Sequence, residues 1–235
     1  MRKGEQTKRR ILERALDLAS LEGLPGVTIG ALASALEMSK SGLYAHFRSK
    51  EQLDVEIVGA MIARFEEGVI APTYSVARGV PRLQAVFERW LDWGEDPVHP
   101  GGCPIIAVMA DLDDRPGPAR EALFDAQERL HRFLARLIEK AVEERHLAPL
   151  TEPRTLALGL HSLILGFHHA ARLLGDRQAR SRVRSLFERL LAAHGAAWSR
   201  DGTIVLFSER APARSKPVRP TPKPTPKKKR SRSRA

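Results

Sequence analysis

Few side chains in this sequence have the types and spacing that catalysis requires. Cys103 is the only cysteine among 235 residues, and it precedes Pro104, a residue suited to the first position of a helix. The partial positive charge of a helix N-terminus can lower the pKa of a thiol, as a sensor of oxidants or electrophiles would need. A cysteine that packs or caps is the simpler interpretation, and we favour it. A lone cysteine also excludes an intrachain disulfide and a zinc site built from cysteines.

Histidine and acidic side chains form two further groups. His161 and His168 are seven residues apart, so one helical face would carry both, with His169 close by. A metal would need another ligand from elsewhere, so we expect histidines of the core or of a dimer interface, with contact to a bound molecule as the alternative. Three acids near a predicted helix end would serve as caps: Asp111, Asp113 and Asp114. The chain has no nucleophile–base spacing and no phosphate-binding loop, so we expect no enzyme activity and no cofactor.

The clearest pattern lies in residues 28–53, which predict two short helices joined by a tight turn. Thr28 is a good N-cap, and the residues after it keep one apolar face as far as Leu36. The periodicity stops at Glu37, and Ser39 can cap a second short helix. Such a pair forms a helix-turn-helix, which can place its second helix in the major groove of DNA.

The second helix of this motif would present small and polar side chains to a duplex. Its exposed residues would be Lys40, Ser41, Gly42, Tyr44 and His46. Leu43 and Phe47 would face the core. Ser49 then caps a third helix, and Gln52 three residues later completes a capping box.

The motif resembles the DNA-binding head of the TetR (TetR/AcrR) family of bacterial transcriptional regulators. The resemblance rests on Ala33, Ser39, Leu43, Tyr44, His46, Phe47, Ser49, Lys50 and Leu53. It implies an all-α fold, with an N-terminal three-helix helix-turn-helix DNA-binding domain and a C-terminal helical ligand-binding and dimerisation domain. Glu37 departs from the pattern, because the family usually has glycine there. A glutamate held in a left-handed conformation would cost about 1 kcal/mol.

The resemblance also predicts how the head meets DNA. Tyr44 and Lys50 match family positions that hold phosphates, and we place Thr28 and His46 with them. Residues 40–42 would lie nearest to the base edges, and the basic run 8–10 suits backbone phosphates. The predicted DNA-binding set is Thr28, Ser39, Lys40, Ser41, Gly42, Tyr44, His46 and Lys50.

Positive charge is concentrated at the two ends of the chain. Of the net charge of +11, residues 1–50 carry +4 and residues 211–235 carry +10, whereas residues 51–210 carry −3. A body of that sign does not itself suit phosphate. We therefore expect a helix-turn-helix domain over 1–50, a helical effector-binding and dimerisation domain over 51–200, and a disordered basic Pro/Lys/Arg tail over 201–235.

Helical periodicity continues through the body. The predicted helices outside the motif are 7–21, 50–70, 81–93, 104–112, 118–145, a helix capped by Thr151 that ends at Leu174, and 179–196. The last two have apolar faces wider than one bundle must bury, which suits a homodimer built from four helices, as the family resemblance also implies.

The body is larger than dimerisation requires, so we expect a pocket for a mainly apolar small molecule. Ordinary core packing is the alternative for each residue of its predicted lining. That lining is Met61, Phe65, Trp90, Trp93, Cys103, Ile106, Met109 and Phe133.

Together these patterns favour a dimeric repressor that binds a palindromic operator in double-stranded DNA and is released by a small apolar effector. The helix over 50–70 would join the DNA-binding head to the body and transmit the effect of a bound effector to the head. The alternative is a non-specific DNA-binding protein driven by the basic tail. The N-terminus lacks the apolar segment of a signal peptide, and no apolar stretch is long enough to span a membrane. We therefore expect a cytoplasmic protein associated with the nucleoid.

Overall fold

The fold is helical throughout the described part of the chain, confirming the all-α prediction. A computed structural model describes residues 3–207, and the regular structure in that range is helix, apart from an isolated antiparallel bridge between Trp198 and Ile204. None of the described helices is long and apolar enough to cross a membrane. The helices are α1 (Lys3–Gly26), α2 (Ile29–Leu36), α3 (Lys40–Tyr44), α4 (Lys50–Phe65), α5 (Val80–Glu95), α6 (Pro104–Leu112), α7 (Pro118–Glu143), α8 (Pro153–His168) and α9 (Ala179–Ala193).

Three side-chain caps define the helix-turn-helix, and the sequence predicts all three. The hydroxyls of Thr28, Ser39 and Ser49 each accept a hydrogen bond from the amide three residues later, at 3.0, 3.0 and 3.1 Å. Each cap satisfies an amide that has no partner within its own helix. The capping box of α4 differs in one detail, because the Gln52 side chain accepts from the amide of Arg48, at 2.9 Å, and not from that of Ser49.

The turn between α2 and α3 has the left-handed geometry that makes Glu37 unusual. Glu37 has φ 54° and ψ 37°. The turn is closed by a hydrogen bond of 2.9 Å from the amide of Met38 to the carbonyl of Ala33, a common way to end a helix. Glutamate therefore occupies a conformation that glycine adopts without steric cost.

The head has a closed apolar core. Side chains of α1 to α4 and of the segment before α4 are fully buried, and the predicted core residues Leu43 and Phe47 are among them. The buried set includes Ile11, Ala15, Leu32, Leu43, Phe47 and Leu53. Burial of one face of α3 leaves its other face to solvent.

Helical structure continues beyond the end of α4. After Phe65 the chain continues through a π-helical turn, Glu66–Ile70, and a 3-10 turn, Ala71–Ser75, before Val76 becomes extended. The predicted helix over 50–70 thus corresponds to α4 and its π-helical turn. The result is one continuous helical segment that begins in the head and extends along the body as far as Ser75.

A second junction joins head and body, between α1 and the start and end of α6. The carboxylate of Asp111 accepts a hydrogen bond of 3.0 Å from the amide of Leu24. The amide of Gly101 donates to the hydroxyl of Ser20 at 3.1 Å. A Cβ at position 101 would lie 1.7 Å from the Ser20 carbonyl oxygen, so only glycine fits at this contact. Gly23, with φ 67°, breaks the helical path of α1 beside Asp111.

The C-terminal helices pack on the body through one stacked pair and one ionic cluster. Phe87 of α5 stacks on Phe187 of α9, with ring centroids 4.2 Å apart. Nearby, Arg180 of α9 contacts three acids of α5, namely Glu88, Asp92 and Glu95, at 2.5 to 3.1 Å. These contacts fix the α8–α9 hairpin against α5.

Two sequence predictions need correction at the C-terminal end. Glu152, and not Thr151, caps α8: its carboxylate accepts from the amides of Arg154 and Thr155, whereas the Thr151 hydroxyl is buried without a partner in the described structure. Residues 201–207, assigned to the tail, form a turn that packs against the body, with a hydrogen bond of 2.8 Å from the amide of Val205 to the carbonyl of Ala197. Residues 208–235, including the basic run of the predicted tail, lie outside the described residues.

Candidate nucleic-acid interface and ligand cavity

Helix α3 presents a small, polar surface to solvent. Lys40 and Ser41 are exposed, and 54% of the Tyr44 side chain is accessible, while Leu43 between them is completely buried. The Ser41 hydroxyl lies 3.1 Å from that of the capping residue Ser39. The short side chains at the start of α3 leave its backbone open to a close approach. This geometry suits a helix that enters a groove.

The side chains predicted to contact phosphates differ in their exposure and in the partners they already have. The Thr28 hydroxyl is used as a cap but is at an exposed site, and His46 is half-buried. Lys50 is different, because its ammonium group pairs with Asp54 and donates to the carbonyl of Leu24 at 3.2 Å. Burial raises the pKa of Asp54, and the hydrogen bond from Lys50 opposes that rise. Lys50 would have to leave Asp54 in order to reach a phosphate.

The basic run on α1 is also partly engaged. Lys8 forms an ion pair with Glu56 at 2.5 Å and lies over the ring of Phe47. Arg9 pairs with Glu13 at 3.1 Å. Arg10 is exposed and makes no ion pair within residues 3–207. Of these three side chains, Arg10 is the most available for an anionic partner.

A cavity of about 380 Å³ opens between α4 with its continuation and α7. Its size is in the range of small-molecule sites. Its walls are Ile62, Phe65, Glu66, Ile70, Ala71, Tyr74, Ile105, Ala126, Gln127, Arg129, Leu130, Phe133 and Arg136. Only Phe65 and Phe133 of the predicted lining are among them. The other lining residues were not predicted, although the spacing of residues 126, 129, 130, 133 and 136 places them on one face of α7.

The other predicted lining residues belong to packed regions. Trp90, Cys103 and Ile106 surround a space of only about 10 Å³, which is close to the minimum for one water molecule. Met61 is buried in the core, and Met109 packs against it. Trp93 packs edge-on against Phe65, with centroids 5.9 Å apart. The core interpretation therefore applies to these residues in the structure.

Cys103 does not have the surroundings of a reactive thiol. It is 2% exposed, and burial raises its pKa above the usual value. Apolar surroundings disfavour the thiolate, which is the nucleophilic form. The packing interpretation of the sequence analysis fits this position.

The predicted histidines His161 and His168 lie in different surroundings, and His161 pairs with a histidine that was not predicted, His131. His161 of α8 is 5% exposed, and its Nδ1 lies 2.8 Å from Nε2 of His131 on α7. Burial, aided by the charge of His131, lowers the pKa of His161 to about 4. His168 lies elsewhere, against Gly102. Residues 3–207 contain no cluster of three or more side chains that could hold a metal.

The predicted acidic caps have different roles. Asp111 reaches across to α1, as described above, and so joins two elements. Asp113 uses its carbonyl to accept from Arg120 at 3.1 Å, and Asp114 is exposed. The sequence shows that acids occur here, but not that one of them contacts the head.

Two protein-family models match this chain, one over the head and one over the body. The family model described as "Bacterial regulatory proteins, tetR family" matches residues 11–57. A second model, "Tetracyclin repressor-like, C-terminal domain", matches residues 79–187. A comparison with curated protein sequences finds no match.

Solved structures share the fold over most of the described chain. A TetR transcriptional regulator from Chloroflexus aurantiacus is 24% identical, with a TM-score of 0.73 over 82% of this chain and 96% of that one. A TetR-family regulator from Cytophaga hutchinsonii is 19% identical, with a TM-score of 0.72 over 83% and 97%. AibR, solved with isovaleryl coenzyme A and operator DNA, is 23% identical, with a TM-score of 0.65 over 78% and 97%. The capped helix-turn-helix, the helical body and both family models together show that this chain belongs to the TetR family of transcriptional regulators.

Proposed function

We propose that this protein is a dimeric repressor whose hold on DNA is released by a small molecule. One observation carries the proposal: α4 belongs to both candidate sites. It is the last of the four helices that form the core of the head, and with its continuation it forms one wall of the cavity. A ligand that prefers one position of α4 changes DNA affinity if DNA binds the two positions of α4 with different affinities. The structure of AibR with both an acyl coenzyme A and operator DNA supports such a pairing of sites.

Within the head, we propose two kinds of contact. Residues 40–42 read base edges, while Thr28, Tyr44 and His46 hold phosphates, with Ser39 fixing the start of α3. Phosphate contacts position the protein, whereas base contacts specify sequence. Lys50 joins the phosphate contacts only if its ion pair with Asp54 opens.

The division of roles can be tested with two substitutions. Tyr44→Phe should weaken binding to all DNA sequences by a similar factor, whereas Lys40→Ala should change which sequence is preferred. Fluorescence anisotropy on a panel of single-base operator variants measures both. A uniform loss for Lys40→Ala across the panel would show that Lys40 contacts only the backbone.

The repressor proposal itself is tested by a gel shift with the DNA upstream of the protein's own gene. We expect selective binding to a palindrome with half-sites about one helical turn apart, roughly 34–36 Å. The absence of any sequence-selective shift at moderate salt would refute it.

We propose that the dimer forms through α8 and α9. Leucines on the outer surface of this hairpin are unusually exposed, including Leu158 and Leu186 at 58% and 48%. Leu158→Arg should therefore give a monomer in light scattering, because a charge cannot be buried in an apolar interface without a partner. Leu150→Arg is the control, since Leu150 is 98% exposed and lies outside both helices. A Leu158→Arg dimer of unchanged affinity would place the interface elsewhere.

The competing proposal is a protein that coats DNA without sequence preference, through the basic residues 211–235. Deletion of these residues separates the two proposals. A repressor keeps its preferred site after the deletion, whereas a coating protein loses nearly all binding. If the protein is a repressor of this kind, we expect it in the cytoplasm, associated with the nucleoid.

A further inference from the structure

The cavity between α4 and α7 is not uniformly apolar. Most of its surface comes from aliphatic and aromatic side chains, such as Phe65, Ile70 and Leu130. Three charged side chains complete it, Glu66, Arg129 and Arg136, so the lining has one more positive than negative charge. The arginines are seven residues apart on one face of α7, about 10 Å along the helix axis.

The two arginines differ in their partners. Arg129 lies 3.9 Å from Glu66, a long ion pair between side chains that are both more than half exposed. Arg136 makes no ion pair and no side-chain hydrogen bond among residues 3–207. A guanidinium group that lines a cavity without a partner is ready to bind a carboxylate or phosphate.

A third arginine, Arg82, lies behind the wall residue Tyr74 and does not itself line the cavity. The ring of Tyr74 lies 6.3 Å from that of Phe133, and the guanidinium of Arg82 lies 5.9 Å from the Tyr74 ring. Arg82 is held there by hydrogen bonds to the carbonyls of Tyr74 and Val76, at 3.1 and 2.7 Å. Its charge is not offset by a carboxylate within ion-pair distance in the described structure.

The wall also contains a polar group that lacks a partner. The side-chain oxygen of Gln127 is buried, and no group of the described residues hydrogen-bonds to it. Because the two ends of an amide can exchange places, Gln127 offers either a donor or an acceptor to a ligand. The Gln127 side chain can therefore form a hydrogen bond with a molecule bound in the cavity.

We infer, on the basis of the proposed function, that the effector is an amphipathic anion. Its apolar body lies between Phe65 and Phe133, its carboxylate or other anionic group binds Arg136, and a polar atom along its length meets Gln127. The sequence predicts a mainly apolar ligand, and the structure adds an anionic group to that description. The aromatic walls could also accept a quaternary ammonium, but the excess positive charge of the lining disfavours a cation.

Calorimetry with three probes that share an eight-carbon chain tests the inference: octanoate, octanol and octyltrimethylammonium. Octanoate should bind on the order of tenfold more tightly than octanol, since a charge-assisted contact replaces a neutral one. Equal affinities, tighter binding of the cation, or no binding of octanoate at millimolar concentration would each overturn the inference.

Substitution of Arg136 shows whether the preference arises at this side chain. Arg136→Gln should remove the advantage of octanoate over octanol and leave octanol binding unchanged. Arg132→Gln is the matched control, because Arg132 lies on the same helix, pairs with Glu128 at 3.2 Å and does not line the cavity. Circular dichroism confirms that each variant is folded. If octanoate keeps its advantage in Arg136→Gln, the anion binds elsewhere and the assignment is wrong.

A DNA-binding assay with the same probes separates this inference from the proposed function. If octanoate binds through Arg136 but leaves DNA affinity unchanged, the ligand class is correct and the ligand-responsive function is wrong. If octanoate fails to bind while an unrelated compound releases DNA, the function stands and the ligand class is wrong.

Discussion

At the scale of single residues, Glu37 is the clearest source of strain in the head. Its left-handed conformation brings the Cβ of any residue except glycine close to the following carbonyl. Glu37→Gly should therefore raise the free energy of unfolding by up to about 1 kcal/mol, measured by urea denaturation. Glu37→Ala is the control, because it removes the charge but keeps the Cβ. If both variants gain equally, the charge and not the backbone causes the effect.

His161 makes stability depend on pH. Its folded pKa is about 4, below the ordinary value of 6.5, so the unfolded chain binds a proton more readily. Stability should fall as the pH drops below 6.5, by up to about 3 kcal/mol near pH 4, and should not change through this group at higher pH.

Replacement of His161 tests this source of pH dependence. His161→Gln can still bond to His131 but does not titrate, so its stability should fall less between pH 6.5 and 4 than that of the natural protein. Urea denaturation at a series of pH values measures the difference. Parallel curves for the two proteins would assign the pH dependence to other groups, such as His99, whose pKa burial also lowers.

At the scale of elements, local chemistry was predictable and contacts across the fold were not. The caps at Thr28, Ser39 and Ser49 involve atoms three residues apart, so the sequence contains the whole interaction. The cap of α8 was predicted wrongly because threonine is a preferred N-cap residue and glutamate is not, whereas here the Glu152 carboxylate reaches the amides of Arg154 and Thr155. The contact of Asp111 with Leu24 joins residues 87 positions apart, and nothing in the local pattern specifies it.

The lining of the cavity also could not be predicted from local sequence. Bulky apolar side chains occur both in cores and in pockets, so residue type did not distinguish Met61, in the core, from Phe65, at the cavity. The lining depends on which face of α7 is turned toward α4. Arg129 and Arg136 have the right spacing, but exposed arginines at that spacing also occur on solvated helices.

The Asp111 contact gives a prediction about the junction of head and body. Asp111→Ala removes the acceptor for the Leu24 amide and should destabilise the protein by about 1–2 kcal/mol. It should also speed hydrogen exchange of that amide. Asp113→Ala is the matched control, because the described structure gives its carboxylate no hydrogen bond. Equal exchange rates at Leu24 in both variants would show that the bond does not hold the junction.

At the scale of the molecule, charge is distributed so that the ends and not the body favour DNA. Residues 211–235 carry ten basic side chains and no acid. Each phosphate that they neutralise should add about 0.9 to the slope of log affinity against log salt. Deleting them should flatten that line and leave the preferred operator unchanged, as measured by anisotropy from low to moderate salt. A full-length variant with glutamine in place of the lysines and arginines of this segment is the control for length. An unchanged slope in both would mean that the segment does not contact DNA.

The tight contact of Gly101 with Ser20 has a mechanical consequence. A rigid head attached to the body only through α4 could pivot about that attachment in any direction. The second attachment, where a side chain at position 101 would collide with the Ser20 carbonyl, removes most of those freedoms. The α1–α6 junction, held at Gly101 and again at Asp111, acts together with the α4 connection to restrict rotation of the head relative to the body. Under the proposed function, a ligand that displaces α4 would therefore move α3 along a restricted path and not in any direction.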